Sequence, residues 1–420
     1  MLTPRRAVLV FICLAAALAA CQPLTTVPIT PPERLPTNTP FAFSSLYGQL
    51  APTYTPTAPP EPTATQEPSA LTGESIPLHL FCTQSGPLGE LAAARAAAFE
   101  AAVQAHNAAG GIEGAQMSLQ ITDIGAAEDP AALAERALDA MPAPLVALCD
   151  AGSETALAEL LAQRRIPAIA LGAMAERRGT LYAIEPPPSH ALAYLLRTLQ
   201  TGWGEYKPTG ASALRLAVLS WPEAYAGRAV TEELAAFAEE RNIELVLQAE
   251  YEPRLDLNVY DSLFAMRDEH ANLVFVNADS FGLAQVLNAL SHLGLRSRVV
   301  VAAPAAAYEP VLFTYLVDPA YAEGLYLVSA WDYTAQNWEQ LHMAAALGLA
   351  EDALARALDA DGPQALTPAA LAQALQAAPF GPLDFAGGAR WPAQLALWQV
   401  GGAPGQLTQV SKPTALPELP

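Results

Sequence analysis

The chain is 420 residues long and 52% apolar, enough for one large two-lobed domain or two ordinary ones, plus tails. Lys and Arg number 21 against 42 Asp and Glu, a net charge of −21, which argues against nucleic acid or anionic lipid headgroups as partners. Much of the apolar fraction is alanine, and no internal run is long and apolar enough to span a bilayer.

The first residues read MLTPRRAVLVFICLAAALAAC. Arg5 and Arg6 give a positive start, and residues 7–20 are apolar but too short to cross a membrane as a mature helix. Leu18, Ala19, Ala20 and Cys21 then fall in the order of a bacterial lipobox. The expectation is a lipoprotein signal peptide over residues 1–20 and lipidation of Cys21; the plainer alternative is a secretory signal that happens to contain a cysteine. Residues 21–75 are rich in Pro and Thr with few large apolar residues, as in APTYTPTAPPEPTATQEPSA. That composition builds no core and favours an extended chain, so the segment is expected to be a disordered tether between membrane and folded body.

From residue 76 strand-like and helix-like runs alternate. PLHLF is short and apolar, residues 88–109 carry helical spacing through Leu91, Ala98, Phe99, Ala102 and Val103, and MSLQITD alternates as a strand. PAALAERALDAM, ETALAELLAQRR and the strands PLVALC and IPAIAL continue the series. This β-α-β-α order predicts a parallel sheet covered by helices on both faces. In NAAGGIEGAQMSLQITD the glycines come after a helix and before a strand. A phosphate loop needs the opposite order, so they are assigned to a sharp corner. A second series begins near Arg215, with RLAVLSW, ELVLQAEY, NLVFVN and RVVVAA as strands separated by helices. The two lobes should meet where strands end, the place open α/β sheets put ligands.

The stretches NAAGGIEG, MSLQITD, RIPAIALGAMAERRG, AYAGRA and DPAYAEGLYLVSAWDY stand in the order seen in the type I periplasmic solute-binding family. The chain resembles the branched-chain amino-acid binding proteins of ABC importers over about residues 76–408. The resemblance implies a two-lobed type I periplasmic-binding-protein fold, each lobe a parallel sheet with helices on both faces. It places the first lobe at residues 76–200 plus 334–390 and the second at 212–328 plus 395–412, with crossovers near 201–211, 329–333 and 391–395.

Catalytic patterns are thin. The six histidines show no paired metal spacing, and there is neither a Cys-x-x-Cys nor a Gly-x-Ser-x-Gly. Asp and Glu sit mostly on alanine-flanked helices and read as solvated faces. No enzyme activity, metal or cofactor is expected. The resemblance instead implies ligand contacts at Ser85 and Gly86 and at the turn Gly152–Ser153. That turn opens a helix whose N–H groups would favour a carboxylate, or which Asp150 or Ser153 merely caps. It also implies Tyr225 as a cover over the ligand, while Trp331 at a crossover could add an aromatic wall or pack in the core.

This chain departs from the family where amino-acid binders usually carry a hydroxyl, having Ala173 and Met174, and in the usual acidic region, which reads Ala302, Ala303, Pro304. Asp279 is the nearby candidate to pair with a ligand ammonium. These departures favour a ligand with a carboxylate or carbonyl end and an uncharged body. Cys82 and Cys149 end two strands expected to be neighbours about 4.8 Å apart, and are either a disulfide or two buried thiols. The functional expectation is an extracytoplasmic, lipid-anchored solute-binding protein. It is expected to be a monomer that delivers a small polar or carboxylate-bearing ligand to ABC importer membrane subunits and touches the membrane only through its N-terminal lipid. The alternative is a non-transport envelope lipoprotein that senses a metabolite or binds a protein partner.

Overall fold

The computed structural model describes residues 71–85, 89–173, 180–211, 213–221, 237–239, 241, 243–252, 256–333, 341–362, 366–386, 392 and 394–415. The expected signal peptide, Cys21 and residues 21–70 of the expected tether lie outside them. Leu71 is already buried in the first core, and Gly73 N–H reaches the Gly114 carbonyl at 3.3 Å, so residues 71–75 belong to the folded body and not to a tether. Among the described residues no helix is long and apolar enough to cross a membrane.

The first sheet is built from β1 (Ser75–Cys82), β2 (Gln116–Asp123), β3 (Val146–Leu148), β4 (Ala168–Ala173) and β5 (Leu181–Glu185), in the order β2-β1-β3-β4-β5, all parallel. Between the strands run α1 (Gly89–Ala108), α2 (Pro130–Ala140) and α3 (Ala151–Arg164). On one face Leu78, Leu80 and Ala147 meet Phe99 and Val103 of α1; on the other Phe81, Val146 and Leu148 meet α2 and α3. Burial on both faces explains why these strands are near-continuous apolar runs. At the corner after α1, Gly110, Gly111 and Gly114 have φ of 119°, 69° and 87°, and a Cβ on Gly111 would lie 1.9 Å from the Ala115 carbonyl oxygen. Asn107 closes the corner by donating to the Met117 carbonyl and accepting from its N–H, both at 2.9 Å. The glycines serve backbone geometry.

Next come α4 (Pro188–Tyr206), β6 (Arg215–Ser220), β7 (Glu244–Glu250), α5 (Asp256–Asp268), β8 (Leu273–Asn277), α6 (Ser280–His292), β9 (Val300–Pro304), the single turn α7 (Leu312–Tyr315) and β10 (Leu325–Ser329). The chain then runs through α8 (Leu341–Asp361) and α9 (Pro368–Ala377) to β11 (Gln394–Val400), β12 (Leu407–Gln409) and β13 (Thr414–Ala415). The second sheet has the order β12-β11-β10-β9-β8-β6-β7, with β13 pairing β11. Strands β6 to β10 are parallel, but β11 pairs antiparallel with β10 and β12, so this sheet is mixed and not wholly parallel. The reason is entry direction: β11 comes from the first lobe at the end of the sheet where β10 stops, and so must run back along it. Helices α5 and α6 cover one face, and α4 covers the other.

The crossovers define the two lobes. Helix α4 packs its Leu192, Leu195, Leu196 and Leu199 with Leu216, Val218 and Phe275 of the second sheet. The chain therefore leaves the first lobe after Glu185, not near 201–211, and 188–200 move to the second lobe. It returns between β10 and α8, whose Met343, Leu347 and Leu354 join the first core, and crosses again between Phe385 and β11.

Candidate functional site

Every buried acid among the described residues, Asp150, Glu154, Glu185, Asp279 and Glu309, lies at or just beyond a strand's C-terminal end or within the loop or helical turn that follows. Buried charge is costly, so its confinement to the edges where the lobes meet marks the working part of the molecule.

On the first lobe Asp150 is fully paired, whereas Glu185 keeps a buried Oε2 with no hydrogen-bond partner among the described residues. Asp150 caps α3: its Oδ1 accepts from Ser153 N–H at 2.8 Å, its Oδ2 from Thr83 N–H at 3.0 Å, and Ser153 Oγ lies 3.2 Å from Asp150 N in a reciprocal box. Ser153 is fully buried and its hydroxyl donates to the Asp150 carbonyl at 2.7 Å. The capping expected of Asp150 is present: its carboxylate takes the Ser153 N–H of this helix start. Gly152 stands half-buried beside Thr83, where a Cβ would approach Thr83 Cγ2 to 3.0 Å. Ser85 is turned to Asp123, donating from its hydroxyl to Oδ2 and from its N–H to Oδ1 at 3.2 Å. Cys82 and Cys149 form a disulfide across β1 and β3, with Cα atoms 5.0 Å apart.

The second lobe's edge is different. Asp279 caps α6, its Oδ1 accepting from Gly282 N–H at 2.9 Å, while its buried Oδ2 has no hydrogen-bond partner among the described residues. Burial pushes its carboxyl up to about 6, against the pull of the Gly282 N–H and the Arg95 charge. Ser220 Oγ, both amide atoms of Asn277 and the Tyr251 hydroxyl, at the ends of β6, β8 and β7, are also buried without hydrogen-bond partners among the described residues. Burial, with the Asp279 charge added, drives the Tyr251 hydroxyl well above its ordinary range.

Between the edges lies Arg95 of α1. Its Nη1 donates to the Cys149 carbonyl at 2.7 Å in its own lobe, and its Nε donates to Glu309 Oε1 at 2.8 Å in the other. It is the one buried Lys or Arg among the described residues. Tyr315 adds a second interlobe bond, donating to Glu90 Oε2 at 2.7 Å. At the hinge, Glu185 Oε1 accepts from Ser329 Oγ at 2.7 Å and meets His342 Nε2 at 2.9 Å, and Trp331 donates its indole N–H to the Ile184 carbonyl at 2.8 Å. Trp331 is therefore a hinge strut; its packing is against the first core.

Of the residues expected to touch a ligand, Gly86, Met174 and Tyr225 lie outside the described residues, as does the side chain of Ala173 at the end of β4. Arg95 and Glu309 were not singled out by sequence reasoning. Among the described residues no group of three His, Cys, Asp or Glu could hold a metal ion.

The sequence model described as periplasmic binding protein matches residues 76–394. No curated protein matches the chain. Among solved structures, the fold is similar to a branched-chain amino-acid ABC transporter protein from Thermus thermophilus with bound valine, at 16% identity and a TM-score of 0.67, covering 82% of this chain and 97% of that one. It is also similar to a fatty-acid ABC transporter substrate-binding protein from Thermomonospora curvata, at 15% identity and a TM-score of 0.65, covering 84% and 96%. A branched-chain amino-acid transporter binding protein from Streptococcus pneumoniae in complex with isoleucine gives 12% and 0.61, covering 82% and 99%.

Proposed function

The chain belongs to the periplasmic binding protein family, whose members are extracytoplasmic solute binders and not enzymes, and from that premise we propose that it is the lipid-anchored binding component of an ABC importer for a small amino-acid-like ligand. The observation that carries the ligand class is Asp279. A buried carboxylate with one oxygen unpartnered, at the strand ends of a two-lobed fold, is where a ligand amino group gains most, because the charge is already desolvated and oriented. This reverses the preference for an uncharged ligand body suggested by Ala302, Ala303 and Pro304: the acid comes from the loop after β8 rather than from the end of β9. The similar proteins from Thermus and Streptococcus were captured with valine and isoleucine, which agrees with an amino acid here. Three crossovers at one hinge let the lobes close on the ligand and present the closed surface to the importer's membrane subunits.

Calorimetry on the full chain with amino acids, their amides and their deaminated acids tests this. Amine-bearing members should bind, and Asp279→Asn should weaken them by about tenfold or more. Equal binding of leucine and 4-methylpentanoate by wild type would remove the case for an amine. The anchor is tested separately: Cys21→Ser should move the protein from the membrane fraction to the soluble one, and unchanged fractionation would refute lipidation at Cys21.

A further inference from the structure

Arg95 is placed by its own lobe. Its Nη1 is held by the carbonyl of Cys149, which the disulfide ties to β1, so the guanidinium keeps its position whatever the second lobe does. Its Nε is met by Glu309, and its Nη2 lies 3.4 Å from the Ala306 carbonyl, both on the segment following β9 in the other lobe. The pair is buried, with side chains 7% and 11% exposed, and the two residues also line a cavity of about 110 Å³ between the lobes. The helix start that the family resemblance offered to a carboxylate already has its Ser153 N–H taken by Asp150, and Arg95 is the one buried Lys or Arg among the described residues.

We infer that Arg95 is the anchor for the ligand's carboxylate and that Glu309 is a built-in carboxylate which the ligand displaces, so that capture is an exchange of one anion for another on a fixed guanidinium. This rests on the reading of the protein as a carboxylate-bearing ligand's receptor, and adds to it the residue that reads the carboxylate. Opening the hinge carries Glu309 away with the second lobe and leaves Arg95 on the Cys149 carbonyl. A planar guanidinium then faces the cleft, with the fork geometry that suits a carboxylate. An anion that binds there holds Glu309 off; without one, Glu309 returns and the lobes pair through it. Ligands lacking a carboxylate cannot make the exchange, so the device selects for the anion as well as gating it. A competitor holding Arg95 nine-tenths of the time lowers apparent affinity about tenfold.

The test uses the full chain as wild type, Glu309→Gln, Arg95→Gln and the double variant, which is neutral and nearly isosteric where the pair stood. Probes are L-valine, 3-methylbutanoate and 3-methylbutanamide by calorimetry, and acetate by thermal shift in chloride-free buffer. Glu309→Gln should bind the two carboxylate probes about tenfold tighter, and Arg95→Gln about 30-fold weaker or worse, with the amide indifferent to both. Acetate should raise the melting midpoint of Glu309→Gln more than that of wild type, and leave the double variant unmoved. The exchange is overturned if acetate stabilises Glu309→Gln no more than wild type, or if the double variant still binds 3-methylbutanoate as wild type does. Should Glu309→Gln fail to fold, the double variant against wild type decides with both carboxylate probes and acetate. If wild type binds neither valine nor 3-methylbutanoate, the assigned ligand class falls, while the acetate series still decides the question of Arg95 and Glu309.

Discussion

The two faces that meet in this molecule differ in how many of their buried polar groups are paired, although Glu185 Oε2 on the first is also buried without a hydrogen-bond partner among the described residues. On the first lobe, Asp150 is spent on Ser153 and Thr83, Ser85 on Asp123, and Cys82 on Cys149. On the second, the side-chain polar atoms of Ser220, Tyr251 and Asn277 and one oxygen of Asp279 are buried with no hydrogen-bond partner among the described residues. A buried polar atom without a partner costs about 1–3 kcal/mol, so a fold tolerates a cluster of them only where something else repays it. The difference points to a division of labour: the loops after β1 and β3 form a paired platform that fixes Arg95, and the second lobe keeps most of the unspent hydrogen-bonding capacity.

The largest effect is expected at the disulfide. It closes a separation of 67 residues, and the chain-entropy argument puts its contribution at about 4 kcal/mol. Cys82→Ser with Cys149→Ser should lower the urea midpoint accordingly; an unchanged midpoint would mean that the first platform does not depend on it. Next in size is Asp279→Asn, which keeps the cap on α6 but removes the buried charge. Asp279 titrates near 6 when folded, against an ordinary 3.8. Between these values the native state holds a proton that the unfolded chain has released, so this group's contribution falls as pH rises through the window and its cost is complete above pH 6. The Asn variant should be more stable than wild type by about 2–3 kcal/mol at pH 7.5, with the gap closing near pH 4. A gap that persists at pH 4 would contradict this.

Smaller effects sharpen the contrast. Asp150→Ala removes a cap and the bond from Thr83, and should cost about 1–2 kcal/mol by denaturant unfolding. Asn277→Leu trades unpartnered amide atoms for apolar ones of similar size. It should raise stability by up to about 1 kcal/mol; a clear loss instead would show that the amide is already satisfied.

Much of the architecture was legible from periodicity, because a strand buried on both faces must be apolar throughout and a helix between two such strands must carry an apolar stripe. The first crossover was misplaced for a reason visible afterwards. Helix α4 follows β5 directly, and chain order alone cannot say which sheet a helix covers. The prolines at 186, 187 and 188, directly after Glu185, were the available signal of a break. The antiparallel β11 was missed likewise, since direction within a sheet depends on the end from which a strand enters.

For the site, Asp279 could be singled out as the nearby acid where Ala302, Ala303 and Pro304 offer none. Arg95 could not. It lies in ELAAARAAAF, where alanines on either side make it look like one charge on a solvated helix face. Its burial comes from the Cys149 carbonyl, 54 positions away, and from Glu309, 214 positions away. The sequence by itself determined the alternating elements, the glycine corner after α1, the shortage of catalytic patterns and the neighbourhood of Cys82 and Cys149, all of which follow from local periodicity and backbone geometry. Which sheet each helix covers, the capping of α3 by its own Asp150, and the meeting of Arg95 with Glu309 were decided only by the tertiary structure, because each depends on groups far apart in the chain whose charge or hydrogen-bonding capacity acquires a partner, or is left without one, only when the lobes pack.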